Sequence, residues 1–406
     1  MGFLPHRCYV VAAVCLLIAA HTRALGPPAT TAPARDSGRL VIARRSSGKA
    51  NAASRSNENL STLCIEAKSA LTVSEHNATA PRPPASMVKM MHFLLVAEGL
   101  RDGTWTLDTP ITASENVAVE GTGVALKEGE VFTLGQLILA MAVVSANDAA
   151  VAVAEGLWGS QQACLRKMNE RAAELGMTQT TFRTVHGLPP EEGGEPDITT
   201  ARDMAILAQH CVSEPIIRKW VGRKEIQFRP DDPPRPSTNK LLLRMEDCDG
   251  LKTGYTRAAG FCLTATAERD NIRLIAVVMG AENVSARFDI AQQLLEESFA
   301  QVCRKRLLAR GEVLPTAVPV SNCRESEIRL VAGDDLWVVV KNGDANNLKM
   351  VSEYPRLIQA PLPAGTALGE VQVQLAGETL GCVPLVLPSS LKEAGLRWKL
   401  IRSTCP

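Results

Sequence analysis

Aromatic residues and net charge are both scarce in this chain of 406 residues. Aromatic side chains make up 4% of the sequence, and 44 lysines and arginines stand against 43 aspartates and glutamates, a formal net charge of +1. Proteins that bind nucleic acid usually present a basic face or a platform of aromatic rings. We therefore expect no nucleic-acid partner. Hydrophobic residues, at 46%, are sufficient for an ordinary globular core.

Metal-binding patterns are also missing from the sequence. The 11 cysteines include no Cys-x-x-Cys pair, and the six histidines are scattered along the chain. Zinc sites usually show such pairs at short spacing, so we expect no metal and no other cofactor. An odd number of cysteines follows residue 24, so at least one is expected to be unpaired or bonded to another molecule.

The first 24 residues have the pattern of a signal peptide. Arg7 precedes an apolar run from Tyr9 to Ala20 that is too short to span a bilayer comfortably. Cleavage near Ala24 would export the mature protein to the periplasm or the outer face of the cytoplasmic membrane; an uncleaved anchor is the alternative. Residues 25–56 are basic, rich in Pro, Ala, Thr and Ser, and without periodicity, which is typical of a flexible linker.

Residues 57–300 combine strand-like and helical patterns. Two apolar runs around a charged turn at residues 268–271 predict a hairpin, and helices are expected at residues 134–144, 149–158, 161–175, 200–211 and 289–300. Strands before and after a helical block predict an α+β domain, with a helical cluster packed on a mostly antiparallel sheet.

The chain changes character at about residue 301. From there to residue 388, short apolar runs separated by Pro and Gly predict a small all-β domain. Residues 389–406 carry an excess of basic side chains and Trp398. This tail is expected either to lie on an anionic membrane surface as an amphipathic helix or to be a frayed terminus.

A serine and a lysine one helical turn apart form the first motif. Pro83 and Pro84 suit a helix start, and apolar positions after them recur with a helical period, so Ser86 is expected in the first turn of a helix. Lys89 would then lie on the same face. A lysine in a partly dry site can lose its proton and act as the base that a serine nucleophile needs. A capping serine followed by a solvated lysine is the alternative.

Two further motifs favour a reactive serine over a capping serine followed by a solvated lysine. Ser145-Ala146-Asn147 interrupts two apolar helices, where small polar residues are expected to face a cleft. Lys252-Thr253-Gly254 begins a strand, where the lysine and threonine can hold a carboxylate and the glycine lets a ligand backbone approach.

In order and spacing, the three motifs resemble those of the penicillin-binding proteins and serine β-lactamases. The residues around them, together with segments 184–188, 200–205 and 249–256, resemble the low-molecular-mass D-alanyl-D-alanine carboxypeptidases. The resemblance covers about residues 60–300 and, more weakly, the β-rich segment and the tail. It implies the fold of β-lactamases and transpeptidases.

The resemblance also implies a reaction. Ser86 would attack the carbonyl of the D-Ala-D-Ala bond at the end of a peptidoglycan stem peptide, and Lys89 would accept its proton. Ser145 would help to pass that proton to the leaving D-alanine, and water would hydrolyse the acyl-enzyme. β-Lactam antibiotics would acylate Ser86 as inhibitors.

The remaining motif residues would bind the substrate. Asn147 would bind a substrate amide, while Lys252 and Thr253 would hold the terminal carboxylate beside Gly254. The backbone N–H groups of Ser86 and Tyr255 would form the oxyanion hole. Lys252 is expected to supply a permanent cation unless Lys89 lies close enough to perturb it. Repulsion between two lysines in one cleft would favour a neutral Lys89.

The role of His186 is open, because it either lines the cleft, as the resemblance suggests, or only braces the turn at Gly187. Two departures from the family pattern leave the substrate preference open. Thr238 stands where familiar carboxypeptidases often have arginine, directly before Asn239, a position that the resemblance places near the cleft, and the loop from Ile111 to Glu130 looks shorter than in the best-known members.

Three rival functions share parts of the pattern. A β-lactamase would need a glutamate-bearing loop that activates the deacylating water, and the acidic segment 191–195 lacks the Leu-Asn pattern that should follow it. A D,D-endopeptidase of peptidoglycan cross-links is closer, although the expected β-rich domain argues weakly against it. A non-enzymatic peptidoglycan-binding protein would have no need of the intact serines and lysines.

Overall fold

The structure, a computed structural model, describes residues 59–189 and 194–395. The predicted signal peptide and linker, and residues 396–406 of the tail, lie outside the described residues. None of the helices within the described ranges combines the length and the apolar character needed to cross a membrane.

One five-stranded antiparallel sheet organises the first region, with strand order β2-β1-β9-β8-β7. The strands are β1 Ser61–Glu66, β2 Thr72–His76, β7 Cys248–Thr256, β8 Gly260–Arg269 and β9 Ile272–Ala281. The predicted hairpin is confirmed as β8 and β9, which pair antiparallel. Two short ribbons complete the region, formed by β3 Pro110–Thr112 with β4 Val131–Thr133 and by β5 Glu225–Ile226 with β6 Arg235–Pro236.

Helices cover both faces of this sheet. They are α1 Lys89–Arg101, α2 Leu134–Val143, α3 Asn147–Trp158, α4 Gln161–Glu174, α5 Ala201–Ser213, α6 Pro215–Val221, α7 Leu241–Arg244 and α8 Val284–Gln301. Successive residues of β1 point to opposite faces of the sheet. Leu63 packs in the core with the larger group of helices, and Cys64 packs in the core on the side of α8. Burial on both faces explains why β9 is almost uniformly apolar. The predicted α+β class is confirmed.

Helix starts differ from the prediction in three places. Ser86 does not lie in an α-helix, because residues Ala85–Val88 form a 3-10 turn and α1 begins only at Lys89. Helix α3 begins at Asn147, two residues earlier than expected. Helix α8 begins at Val284 rather than at residue 289, because the side chain of Asn283 accepts a hydrogen bond from the backbone N–H of Ala286 and caps the helix.

The second region is all β, as predicted. A six-stranded sheet has the order β14-β16-β17-β12-β11-β15, and β10 pairs with β13. The strands are β10 Val302–Leu308, β11 Val313–Ser321, β12 Glu327–Ala332, β13 Leu336–Lys341, β14 Lys349–Glu353, β15 Ile358–Gln359, β16 Ala367–Leu375 and β17 Glu378–Val386. Strand β10 is rich in basic residues and β14 is exposed throughout, so neither shows the apolar run that predicts a strand.

Candidate active site

The three sequence motifs meet at one cleft of about 450 Å³ beside the sheet edge. Strand β7 forms one wall, and the 3-10 turn with Ser86 and the start of α3 form the other. Side chains from each motif line it, namely Ser86, Ser145, Asn147 and Thr253. The convergence of distant segments on one cleft is what a shared reaction centre requires.

The Ser86–Lys89 pair is buried and closely connected. Lys89 is fully buried, and its Nζ lies 3.0 Å from Ser86 Oγ. The same Nζ donates hydrogen bonds of 2.8 Å to Asn147 Oδ1 and 2.8 Å to the backbone oxygen of His186. Burial lowers the pKa of Lys89 to about 7, although the carboxylates of Asp197 and Asp148 act in the opposite direction.

This arrangement suits a neutral amine. An uncharged lysine has two N–H bonds and one lone pair. The two N–H bonds can point at Asn147 and His186, which leaves the lone pair directed at the Ser86 hydroxyl. Lys89 is therefore placed to take the serine proton.

Ser145 lines the cleft and contacts Lys252. Its backbone has a φ of +62°, so the chain turns between α2 and α3 in the left-handed region. The hydroxyl of Thr122 donates to the Ser145 carbonyl at 3.1 Å, and Lys252 Nζ donates to Ser145 Oγ at 2.8 Å. Ser145 thus touches the group expected to hold the substrate carboxylate.

Asn147 is occupied by protein partners. Its Oδ1 accepts from Lys89, and its Nδ2 donates to the backbone oxygen of Glu120 at 2.8 Å. The side chain lines the cleft, but both ends of the amide already have hydrogen-bond partners. Its predicted contact with a substrate amide stays a prediction.

Lys252 lies behind the cleft surface. It is 1% exposed, and its Nζ donates to Ser145 Oγ and, at 2.8 Å, to the Thr253 backbone oxygen. Burial, then the charges of Lys89 and Arg287, hold the pKa of Lys252 well below its usual range. Burial therefore depresses the pKa of both lysines, and Lys89 is close enough to perturb Lys252, the condition under which a permanent charge on Lys252 was not expected.

Gly254 lets strand β7 pack tightly against the 3-10 turn. A Cβ added there would lie 2.8 Å from the Pro84 backbone oxygen and 3.2 Å from the Ser86 backbone nitrogen. This close approach is compatible with the predicted oxyanion hole between the N–H groups of Ser86 and Tyr255. The Tyr255 ring is 54% exposed at the cleft and stacks on Phe261, with 4.2 Å between ring centroids.

His186 braces the loop beside Ser86. Its backbone oxygen accepts from Lys89, and its Nδ1 accepts from the Leu188 backbone N–H at 3.1 Å. Burial, and secondarily the charge of Lys89, lowers the pKa of His186 to about 4. The next residue, Gly187, has a φ of +86° and lies so close to Ala85 that a Cβ would collide with its backbone.

Comparisons with known proteins agree with this geometry. The family described as D-alanyl-D-alanine carboxypeptidase matches residues 48–283, and the C-terminal domain of penicillin-binding protein 5 matches residues 304–393. This chain belongs to the D-alanyl-D-alanine carboxypeptidase family. The resemblance stated from the motifs is confirmed, and with it the class of serine-type carboxypeptidase and low-molecular-mass penicillin-binding protein.

Individual relatives cover most of this carboxypeptidase. D-alanyl-D-alanine carboxypeptidase DacF from Bacillus subtilis (strain 168) is 33% identical over 82% of this chain and 88% of its own length. Penicillin binding protein 5 from Haemophilus influenzae is 27% identical, with a TM-score of 0.67 over 82% of this chain and 97% of that protein. Penicillin-Binding Protein D2 from Listeria monocytogenes, solved in its ampicillin-bound form, is 28% identical, with a TM-score of 0.54 over 59% of this chain and 96% of that protein.

Two cations at the cleft of the carboxypeptidase were missed from sequence. Arg287 of α8 lines the cleft and donates to the Gly254 backbone oxygen at 3.2 Å, and burial lowers its pKa to about 10. Arg257 lines the exposed rim. None of the described residues that line this cleft is acidic. A single arginine forms no recognisable sequence motif. Arg287 reaches the cleft only because α8 packs against the sheet, which the sequence does not show.

Thr238 also lines the cleft. The hydroxyl of Thr253 donates to Thr238 Oγ1 at 2.8 Å, and the Thr238 backbone N–H donates to Val143 at 3.0 Å. The neighbouring Asn239 is 3% exposed and turns its Oδ1 to the Leu241 backbone N–H. Thr238, rather than Asn239, therefore faces the cleft.

Proposed function

We propose that this carboxypeptidase removes the terminal D-alanine from peptidoglycan stem peptides through an acyl-enzyme on Ser86. The observation that carries the proposal is the 3.0 Å contact between Ser86 Oγ and the buried Nζ of Lys89. Ser86 Oγ forms a bond to the carbonyl carbon of the penultimate D-alanine while its proton moves to the Lys89 lone pair. The carbonyl electrons move to oxygen, and the N–H groups of Ser86 and Tyr255 stabilise the anion.

Collapse of this tetrahedral intermediate breaks the peptide C–N bond. The leaving nitrogen needs a proton, and Ser145 Oγ can donate one from the cleft wall. Lys252, 2.8 Å away, can replace the proton that Ser145 gives up. Before the second half of the reaction, Lys89 releases to solvent the proton that it took from Ser86, and Lys252 regains from solvent the proton that it gave up. Water then attacks the ester carbonyl and gives a proton to the free lone pair of Lys89. That proton returns to Ser86 Oγ when the ester bond breaks.

The charge of the cleft supports a substrate that ends in a carboxylate. Thr253 and Arg287 line the cleft, and Lys252 lies directly behind Ser145. A bound carboxylate would favour the protonated form of Lys252, which opposes the depression of its pKa by burial. Binding of the chain end would therefore charge Lys252 and leave Lys89 neutral.

Intact-mass analysis after penicillin treatment tests the nucleophile. The wild-type protein should gain one penicilloyl mass, and Ser86→Ala should gain none. The ampicillin-bound state of the Listeria relative supports this expectation. An adduct that persists in Ser86→Ala would place the nucleophile elsewhere.

Two product assays separate the remaining activities. Release of D-alanine from a pentapeptide, without cleavage of a cross-linked dimer, is expected for a carboxypeptidase rather than an endopeptidase. A penicilloyl adduct that lasts for minutes or longer is expected here, whereas rapid turnover would indicate a β-lactamase.

We also propose export, cleavage near residue 24, and action in the periplasm or at the outer face of the cytoplasmic membrane. The apolar run at residues 9–20 and the peptidoglycan substrate support this location. The basic tail at residues 389–406 is proposed to contact anionic lipid. Co-sedimentation of the full chain with anionic vesicles, but not of a chain ending at residue 388, tests the tail.

A further inference from the structure

A single buried carboxylate holds the loop that contacts the catalytic lysine. Asp197 is 3% exposed. Its Oδ1 accepts from the backbone N–H groups of Arg183 at 2.6 Å and Thr184 at 2.9 Å, and its Oδ2 accepts from the Thr184 hydroxyl at 2.6 Å. Burial raises the pKa of the Asp197 carboxyl, while these donors favour its ionised form.

The hydrogen bonds continue from Asp197 to the reaction centre. Thr184 Oγ1 accepts from the Gly187 backbone N–H at 2.8 Å, which fixes the turn that carries His186. The His186 backbone oxygen then accepts from Lys89 Nζ at 2.8 Å. A change at Asp197 should therefore move an acceptor that orients the catalytic base.

We propose that Asp197 is a positioning residue for Lys89, because its hydrogen bonds hold in place the His186 carbonyl to which Lys89 donates. Its buried negative charge also acts on Lys89. Asp197 does not line the cleft, so it acts through the loop rather than on substrate. The inference rests on the proposed role of Lys89 as base.

Several charged or titratable groups surround Lys89, and they differ in how they act on it. The groups are His92 on α1, His186 in the loop, Lys252 on β7, Asp148 at the start of α3, and Asp197. Asp197 and Asp148 are the carboxylates that oppose the effect of burial on the Lys89 pKa. The Asp148 carboxylate accepts hydrogen bonds from the backbone N–H groups of Val124 and Leu126, in a different loop. Only the hydrogen bonds of Asp197 therefore lead to the His186 side of Lys89.

Asp197→Asn in the full chain separates charge from shape. The Asn Oδ1 can still accept from both backbone N–H groups, and its Nδ2 can donate to Thr184 Oγ1, which would then accept where it now donates. The negative charge is lost. Removing an anion lowers the Lys89 pKa, so the acid limb of the penicillin acylation rate against pH should move to lower pH by about 0.5 unit or more. The readout is the second-order rate of adduct formation on Ser86.

Asp203→Asn is the matched control. Asp203 is also buried, and its carboxylate accepts from the Gln179 backbone N–H at 2.9 Å and the Thr180 hydroxyl at 2.7 Å. These bonds do not lead to Lys89. Asp203→Asn should therefore leave the acid limb in place even if it lowers the melting temperature.

Thr184→Val and Thr184→Ser test the loop without changing any charge. Valine breaks the bridge between Asp197 and Gly187, so acylation should slow about tenfold at every pH with an unmoved acid limb. Serine keeps the hydroxyl and should restore the rate. This pair also decides the matter if Asp197→Asn fails to fold.

Three results would overturn the proposal. They are a folded Asp197→Asn protein with the wild-type acid limb, an equal shift in Asp203→Asn, and a wild-type rate in Thr184→Val. Failure of the wild-type protein to form any penicilloyl adduct would instead reject the proposed function.

Discussion

The two regions of this carboxypeptidase bury different kinds of side chain. In the described part of the first region, lysine, aspartate, histidine and arginine side chains are buried. From Val302 to residue 395, no side chain with a charge, a hydroxyl or an amide is buried. Burying a charge costs several kcal/mol unless hydrogen-bond or ionic partners compensate, so buried charged groups lower the free energy of unfolding. The first region buries such groups, among them those at the cleft, and the described part of the all-β region buries none.

Lys89→Ala removes a buried lysine of the first region and should have the largest effect on the acylation rate. Loss of the base is expected to slow penicillin acylation by about 10²–10⁴-fold, which is the usual contribution of a general base. Stability should not fall in proportion, because the variant no longer buries an amine in a dry site. Stopped-flow acylation and thermal melting measure the two effects. A near-normal acylation rate would exclude Lys89 as the base.

Leu385→Ala makes the converse change in the all-β region. Leu385 is fully buried in that core, so its truncation should lower the free energy of unfolding by about 2–5 kcal/mol. The acylation rate should remain normal. The matched variant Leu263→Ala removes an equally buried side chain of β8 that stands opposite Thr253 on β7. It should lower both stability and rate, and equal effects of the two variants on the rate would contradict the division between regions.

Gly254→Ala adds one methyl group between strand β7 and the serine turn. The new Cβ would approach the Pro84 backbone oxygen to 2.8 Å, so one backbone must move. A displacement of about 1 Å at a reaction centre can cost about 10²-fold in rate, and we expect acylation to fall by that order. Gly343→Ala is the control in the all-β region, since its Cβ would meet nothing within 4 Å. A wild-type rate in Gly254→Ala would show that the turn tolerates movement.

Sequence patterns predicted the parts of the site that depend on short spacing. Ser86 and Lys89 are three residues apart, so any helical turn brings them together. The Ser145 and Lys252 motifs could be placed near them only through family resemblance, because their contact joins the turn before α3 to β7, two segments far apart in sequence. The α+β class followed in the same way from local periodicity.

Other features depend on tertiary packing that one sequence does not encode locally. Arg287 reaches the cleft because α8 crosses the sheet beneath Gly254. Asp197 acts through backbone groups of Arg183 and Thr184, and backbone acceptors and donors leave no trace in side-chain patterns. Strand β14 is exposed along its whole length, so it has no apolar alternation to reveal it.

His92→Phe should have the smallest effect, which is a change in how the stability of the first region depends on pH. His92 is fully buried, one turn after Lys89, and its ring packs edge-on against Trp158 with 6.3 Å between centroids. Burial, with a smaller effect from the charge of Lys89, lowers its pKa to about 3, against an ordinary value of 6.5. As pH falls below 6.5, the unfolded chain takes up a proton that the folded protein does not, so stability is lost.

Between pH 8 and pH 5 this linkage amounts to about 2 kcal/mol, at 1.36 kcal/mol for each pH unit below the unfolded pKa. His92→Phe should therefore stabilise the protein more at pH 5 than at pH 8, by about that amount, in urea unfolding followed at both pH values. If His92→Phe changes stability equally at both pH values, His92 takes up its proton in the folded protein, and the interior beside Lys89 is less dry than its burial implies.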